Sequence, residues 1–356
     1  MTITITAVNP FLYQIQYPFF DKETEIRVFR WLISNLPASS SLLGILTRPF
    51  ATPTHYPNST EEDGRISTDS FPVLFTNAIS LINPEVQDDS HQIEALLHSY
   101  GTSLRVFVSS ESVLALEKYE IDSEGRIVFE REDMQALYEK SICVLTSILD
   151  NCIDFQQTVH LSSLNRIWSG CFTSRGKLGY RIPAIKLTLA STDLSLEGES
   201  TLEKMNFHLP RIGEELIDDS LSEIDLDYIL ENNKIKYPRT YIDDCIKVSH
   251  CLRSKHDGSL VSWGVTHGDM AVGCLHTLGQ YRKRSLGRKV LYELALKHLE
   301  YHRNYLPYKE GEIVYIHADT EIWNETTVQV MHKCGYKSLL QNEWFSIVLG
   351  DMDTIL

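Results

Sequence analysis

The stretch that most constrains this chain is residues 277–289, TLGQYRKRSLGRK, because it must end a strand and begin a helix within a few residues. Before it, residues 270–278 alternate in strand fashion. After it, residues 286–303 put Leu286, Val290, Leu291, Leu294 and Leu299 on one side at helical spacing. Between them, five basic residues fall in the eight positions 282–289, in a chain whose net charge is −15. Cations at a helix N-terminus oppose the macrodipole, at roughly 0.3–1 kcal/mol each. A bound polyphosphate offsets that penalty, since loop amides and the positive end of the helix both favour an anion. A solvated basic helix start is the plainer alternative.

The rest of the second half reads around this segment. Residues 221–230 and 241–252 have helical patterning, separated by Pro238. Residues 259–266 alternate as a strand, and His267-Gly268-Asp269 is turn chemistry that would join them to 270–278 as a hairpin. A strand follows at 312–318, then a helix at 325–333 stopped by Gly335, then a short strand at 344–349. In the first half, 3–8 and 104–108 read as strands, 22–36 and 134–153 as helices, and 41–46 and 71–75 as buried strands. Residues 55–69 read as a polar surface loop. Residues 191–200 are small and polar, so the expected division is a domain over 1–195 and another over 205–356. The expected class is α/β (α+β), mixed sheets flanked by helices.

Composition narrows the partners. A hydrophobic fraction of 43% with 23% charged residues is that of a globular chain. A charge of −15 disfavours nucleic acid and anionic membranes, and no apolar run approaches the ~20 residues of a membrane helix. Seven cysteines with no Cys-x-x-Cys spacing argue against a disulfide framework or structural zinc. His298 and His302 lie four apart with no third ligand nearby, so no metal is expected. The first basic residue is Lys22, and the N-terminus shows neither a secretory signal nor a transit pattern. A cytoplasmic location is expected, with a mitochondrial one as the alternative.

Residues 282–287, Arg-Lys-Arg-Ser-Leu-Gly, resemble the Arg/Gln-x-x-Gly-x-Gly/Ala loop of the GNAT acyltransferases, the coenzyme A-dependent N-acyltransferase superfamily, with Ser285 in place of the first glycine. The order hairpin, loop, helix, strand, Asn324, helix and Gly335-Tyr336 is similar to that family's. So is the ending Asn324…Met331-His332-Lys333-Cys334-Gly335-Tyr336, which resembles Asn…Tyr-x-Lys-x-Gly-Phe. Trp263 before the turn, and Thr277-Leu278-Gly279-Gln280-Tyr281-Arg282 after it, resemble the glycine N-acyltransferase-like branch. The likeness covers about 221–349. It implies two GNAT-like units in tandem, with a degenerate first unit, and an acyl group passed from acyl-CoA to a small amine or amino acid such as glycine. The alternative it leaves is an inactive CoA-binding or protein-interaction module.

The resemblance also implies roles. Pantetheine would pair with the backbone of Cys274, Leu275 and Thr277. The amides of Arg284, Ser285, Leu286, Gly287 and Arg288 would hold the pyrophosphate. Arg282, Lys283 and Lys289 would reach phosphate, and Asn324 would lie beside the pantetheine arm. The branch carries a glutamate base on the cofactor strand, where this chain has Ala271. Asp269 and His276 are the first candidates to replace it, with His267 or a water chain as further ones. Cys274 is read as a small buried residue rather than a nucleophile.

Overall fold

The computed structural model describes residues 5–9, 12–16, 22–47, 73–78, 81, 93–100, 103–123, 125–152, 158–194 and 216–349. The expected loop at 55–69 and the expected boundary at 195–205 lie outside them. Contacts divide the chain into two compact units, one of residues 1–42, 58–185 and 339–356, the other of 43–57 and 186–338. The chain therefore passes between units four times, where the sequence suggests a single cut. Both units are mixed α/β.

The first unit contains β1 (Ile5–Asn9), β2 (Leu12–Gln16), α1 (Lys22–Ser34), the start of α2 (Ser40–Thr47), β3 (Val73–Thr76), β4 (Ala95–Tyr100) and β5 (Ser103–Val108). After α3 (Glu111–Leu114) comes the small hairpin β6 (Tyr119–Ile121) and β7 (Ile127–Phe129). Then follow α4 (Glu132–Cys152), β8 (Thr158–Asn165), α5 (Ser169–Thr173) and most of β9 (Gly176–Ala190), which passes into the second unit at Lys186. Strands β1 to β5 run antiparallel in chain order, and β8 then joins β5 in parallel. The core lies between this sheet and α4, around Leu97, Leu104, Leu145, Leu149, Trp168 and Phe345.

The second unit holds β10 (Leu216–Asp219), α6 (Leu226–Asn232), α7 (Arg239–Ile246), β11 (Ser249–Ser254), β12 (Leu260–Thr266), β13 (Val272–Thr277), α8 (Leu286–Tyr305), β14 (Tyr315–Glu321) and α9 (Glu325–Lys333). The last strand, β15 (Lys337–Leu349), leaves this unit and ends in the first. Strands β10 to β13 form an antiparallel sheet in that order. Helices α6 and α7 cover one face, with Leu226, Ile229, Ile242 and Cys245 packed on Trp263 and Val265. Helix α8 covers the other, close enough that a Cβ on Gly264 would come within 2.7 Å of a Leu294 methyl. Among the described residues no helix is long and apolar enough to cross a membrane.

The expected class is the observed one, but several elements differ. Residues 41–46 form a helix rather than a strand, because a short apolar run has no period that separates the two. The helix expected at 241–252 stops at Ile246, and Ser249–Ser254 is a strand buried between β10 and β12. Residues 249–253 are buried whether polar or apolar, with His250 and Arg253 held by carboxylates, so no alternation of apolar and polar positions marks them as a strand. The last strand is 13 residues long rather than six, and β14 starts three residues later than expected.

An ion-pair network ties β10, β11 and the start of α6 together. Arg253 donates to Asp219 at 2.7 Å and to both oxygens of Asp225 at 2.9 and 2.6 Å. The Ser220 amide and Arg253 hold Asp219 below its ordinary carboxylate range. For Asp225, burial acts upward, but Arg253 and Ser222 outweigh it and the net shift is downward. Carboxylates depressed in the folded state add stability that is complete above their unfolded pKa, near 3.9, and is lost as pH falls through the folded values. Unfolding free energy from urea titrations should therefore fall below about pH 4. That fall should be shallower in Arg253→Met, which should already be less stable at pH 7.

Candidate active site

The expected hairpin is present. Strands β12 and β13 meet through a turn in which His267 donates to the Ala271 carbonyl and Met270 donates to that of His267. The register shifts between Trp263 and Val265, so Cys274 and Leu275 stand opposite Gly264 alone. Cys274 carries the bulge, with φ +49. A bulge interrupts the ladder and re-aims local backbone groups.

Strand β13 is the edge of its sheet, and its only backbone bridge to β14 among the described residues is the parallel pair Ala271–His317. Beyond that bridge the two strands separate. The opening has its apex at the turn and its mouth at the carboxyl ends, where β13 leads to the basic loop and β14 to Asn324. Strand β12 is buried throughout, while residues 273–277 are all half-buried, as suits an unpaired edge.

At the mouth, Lys283 has φ +63 and Ser285 φ +62. The resemblance places a glycine at position 285, and the left-handed backbone is the reason glycine suits it. Gly287 sits close to the end of β13, since a Cβ there would lie 3.2 Å from Thr277 Oγ1. Among the described residues, the amides of Lys283, Arg284, Ser285, Leu286 and Gly287 have no acceptor, and the first helical amide bonds are those of Arg288 and Lys289 to the Ser285 carbonyl. Arg282, Lys283 and Arg284 are exposed and face no carboxylate among the described residues. Arg282 Nε donates to the Thr277 carbonyl at 2.9 Å, and the Arg284 guanidinium lies 5.6 Å from the Tyr281 ring. Arg288 donates to Ser285 Oγ at 2.5 Å. Lys289, expected to reach phosphate, is instead paired with Asp218 at 2.7 Å. Asn324 caps α9 by accepting the Thr327 amide at 3.4 Å, which sets it beside the end of β14.

The base candidates separate in space. Asp269 is buried, and its Oδ1 accepts the Ala271 amide at 3.2 Å. It clusters with His317 and Asp319 of β14, their ligand atoms all within 4.8 Å of one another. Three such donors could hold a cation, and equally form a hydrogen-bonded cluster at the apex. His276 lies flat against Trp263, ring centroids 4.5 Å apart, and burial followed by Arg282 lowers its pKa. His267 stands between Tyr241, whose Oη is 2.9 Å from Nδ1, and Gly273. Burial pushes the Cys274 thiol up to about 11, against the opposing hydrogen bond from Asn233 at 3.1 Å, so it is a poor nucleophile at neutral pH.

Sequence reasoning did not find Asn233, Lys234 or Tyr237, which the connection between α6 and α7 brings to this site, or Tyr241 in the first turn of α7. Lys234 pairs with Glu321 at 2.9 Å, and the Tyr237 ring lies 5.7 Å from His267. His317, Asp319 and Glu321 left a signal that could have been read. They are three ionisable residues at period two, alternating with Ile316, Ala318 and Thr320.

No family model and no curated protein matches the chain. Solved structures similar to it include a Drosophila protein from structural genomics, at 14% identity and TM-score 0.49, covering 78% of this chain and 79% of that one. A tandem GNAT protein from the clavulanic acid biosynthesis pathway is similar at 10% identity and TM-score 0.41, covering 94% and 98%. A putative acetyltransferase from Pyrococcus horikoshii is similar at 8% and 0.38, covering 96% and 91%. At these values the functional reading must come from the chain's own geometry.

The loop geometry yields a direct expectation. A β-branched residue at φ +62 is strained, at roughly 1–2 kcal/mol. Ser285→Val should lower thermal stability by about that amount, while Ser285→Gly should stay within about 0.5 kcal/mol of the parent. Calorimetric melting of both variants checks this.

Proposed function

We propose that this chain is an acyl-CoA-dependent N-acyltransferase with its active site in the second unit. The observation that carries the reading is the continuity of an opened strand edge, β13, with a loop of unused amides and unpaired cations. A pantetheine arm needs peptide-like hydrogen bonds along an extended track. A pyrophosphate needs convergent N–H donors at a helix start. Here the two follow one another along the chain in the order an extended cofactor requires.

In this reading the phosphates lie at the loop Arg284, Ser285, Leu286, Gly287 and Arg288, with Arg282 and Lys283 outside them. The arm runs back along Thr277, Leu275 and Cys274, with Asn324 on the facing wall. The thioester then lies near the apex, where a backbone amide of the bulged segment donates to its oxygen and stabilises the charge that develops on attack. The acceptor is a small amine, reached from the side of Asn233, Tyr237 and His267. The candidates for its proton acceptor are Asp269, His276 and His267.

One observation favours the second reading, a CoA-binding module without catalysis. Ala271, where the resemblance puts a glutamate, is buried and bridged to His317, so it offers no base. Binding and turnover separate the two readings.

The first unit is not assigned a cofactor. Its helix after the opening strand, α4, begins with Glu132 and Asp133, and Arg131 beside them is held by Glu117 and Asp133. Those carboxylates repel a phosphate where the second unit presents cations.

Isothermal titration with acetyl-CoA tests the assignment. The chain should bind, and Gly287→Glu should abolish binding through bulk against Thr277 and like charge toward phosphate. Its melting temperature should stay close to the parent's. Undiminished binding in that variant would overturn the placement of the phosphates.

A further inference from the structure

We propose that His267 is the catalytic group that takes the proton from the attacking amine, an inference that rests on the acyltransferase reading above. The geometry begins with Gly273. A Cβ at that position would lie 2.0 Å from His267 Nε2 and 2.3 Å from Cδ2, so the imidazole occupies the space a side chain would fill. Gly273 is the residue just before the bulge at Cys274, on the opened edge of β13. The ring is thus seated on the backbone that would present the thioester.

Its orientation is fixed from the other side. Tyr241 Oη lies 2.9 Å from Nδ1, and the two rings are stacked at 18° with centroids 5.9 Å apart. We take the tautomer in which Nδ1–H donates to the Tyr241 oxygen, which puts the basic lone pair on Nε2, the nitrogen nearest Gly273. Tyr241 is then a positioning residue. Tyr237, 5.7 Å from the imidazole, encloses it further.

The other two candidates are less well placed. Asp269 is buried, with Oδ1 accepting the Ala271 amide and its carboxylate gathered with His317 and Asp319. His276 immediately precedes Thr277, the residue in contact range of Gly287, so it is at the phosphate end of the track. Gly273 lies four residues before Thr277, about 13 Å away at ~3.3 Å per strand residue. That separates the phosphate end from the acyl end, and His267 is at the acyl end.

The step balances without any further reactant. The amine lone pair forms the N–C bond to the thioester carbonyl carbon, and the C–S bond breaks with its electron pair leaving on sulfur. The proton lost by nitrogen goes to Nε2, and from the imidazolium to the departing thiolate or to water.

Bromoacetyl-CoA, whose electrophilic carbon stands next to the thioester carbonyl, is the probe, used on the full chain with peptide mass spectrometry. Nε2 should displace bromide and be alkylated, and acetyl-CoA should suppress the labelling. His267→Gln should lose at least tenfold in labelling with its acetyl-CoA Kd within twofold of the parent's. Gly273→Ala, which forces the ring aside, should lose the label at position 267 as well. In acetyl transfer to benzylamine, His267→Gln should lower kcat by about 10²–10⁴-fold with little change in KM for acetyl-CoA. Label on Cys274, Asp269 or His276 with His267 untouched would overturn the proposal. So would the absence of any acetyl-CoA-sensitive label in a chain that binds acetyl-CoA, or a kcat in His267→Gln within threefold of the parent's. A chain that gives no heat with acetyl-CoA would instead reject the acyltransferase reading itself.

Discussion

One parallel bridge, Ala271 to His317, determines what the second unit offers. Had β13 and β14 paired along their length, the edge would be satisfied and the sheet continuous. Held at one end only, they leave a run of peptide groups unused by any neighbouring strand, and such groups are satisfied by water or by a ligand that mimics a strand. The turn sets the apex of the opening, the bulge at Cys274 lies just beyond it, and the left-handed residues Lys283 and Ser285 shape its mouth.

The first unit repeats the same order of elements, which makes its differences informative. Strands β3, β4 and β5 are antiparallel, α4 follows, and β8 returns parallel to β5, as β11 to β13, α8 and β14 do in the second unit. There too the parallel pair is short, Ser103–His160 and Leu104–Leu161 among the described residues. But Arg105 reaches across to the Ser162 carbonyl at 2.6 Å, so a side chain occupies that opening. The connection to α4 is a short helix and a hairpin instead of a basic loop. Equivalent topology has been put to different electrostatic use, and fold alone would not separate the two.

What the sequence made legible follows from which signals are local. The hairpin, the basic loop, α8 and the stop at Gly335 all depend on residues within a few positions of one another. So does the glycine-like demand at 285, visible as a single mismatch whose backbone meaning the structure supplies. The strand at Ser249–Ser254 was not legible, because burial on both faces removes its alternation. The contacts of Asn233 with Cys274 and of Lys234 with Glu321 join residues 41 and 87 positions apart, which no spacing rule connects. Among the three candidate bases, the sequence could rank chemistry but could not show that the His267 ring packs against Gly273.

The path of the chain has a consequence for its synthesis. In the first unit's sheet, β15 lies between β8 and β9, yet it is made after both of them, with β10 to β14 in between. The second unit draws on residues 43–57 and then waits for 186–338. A ribosome adds residues from the N-terminus, and domains usually fold as they emerge. Here that sheet lacks an interior strand until residues 337–349 leave the exit tunnel. A nascent chain stalled before residue 339 would carry unpaired edges on β8 and β9, the kind of surface that chaperones bind and that aggregates when left uncovered.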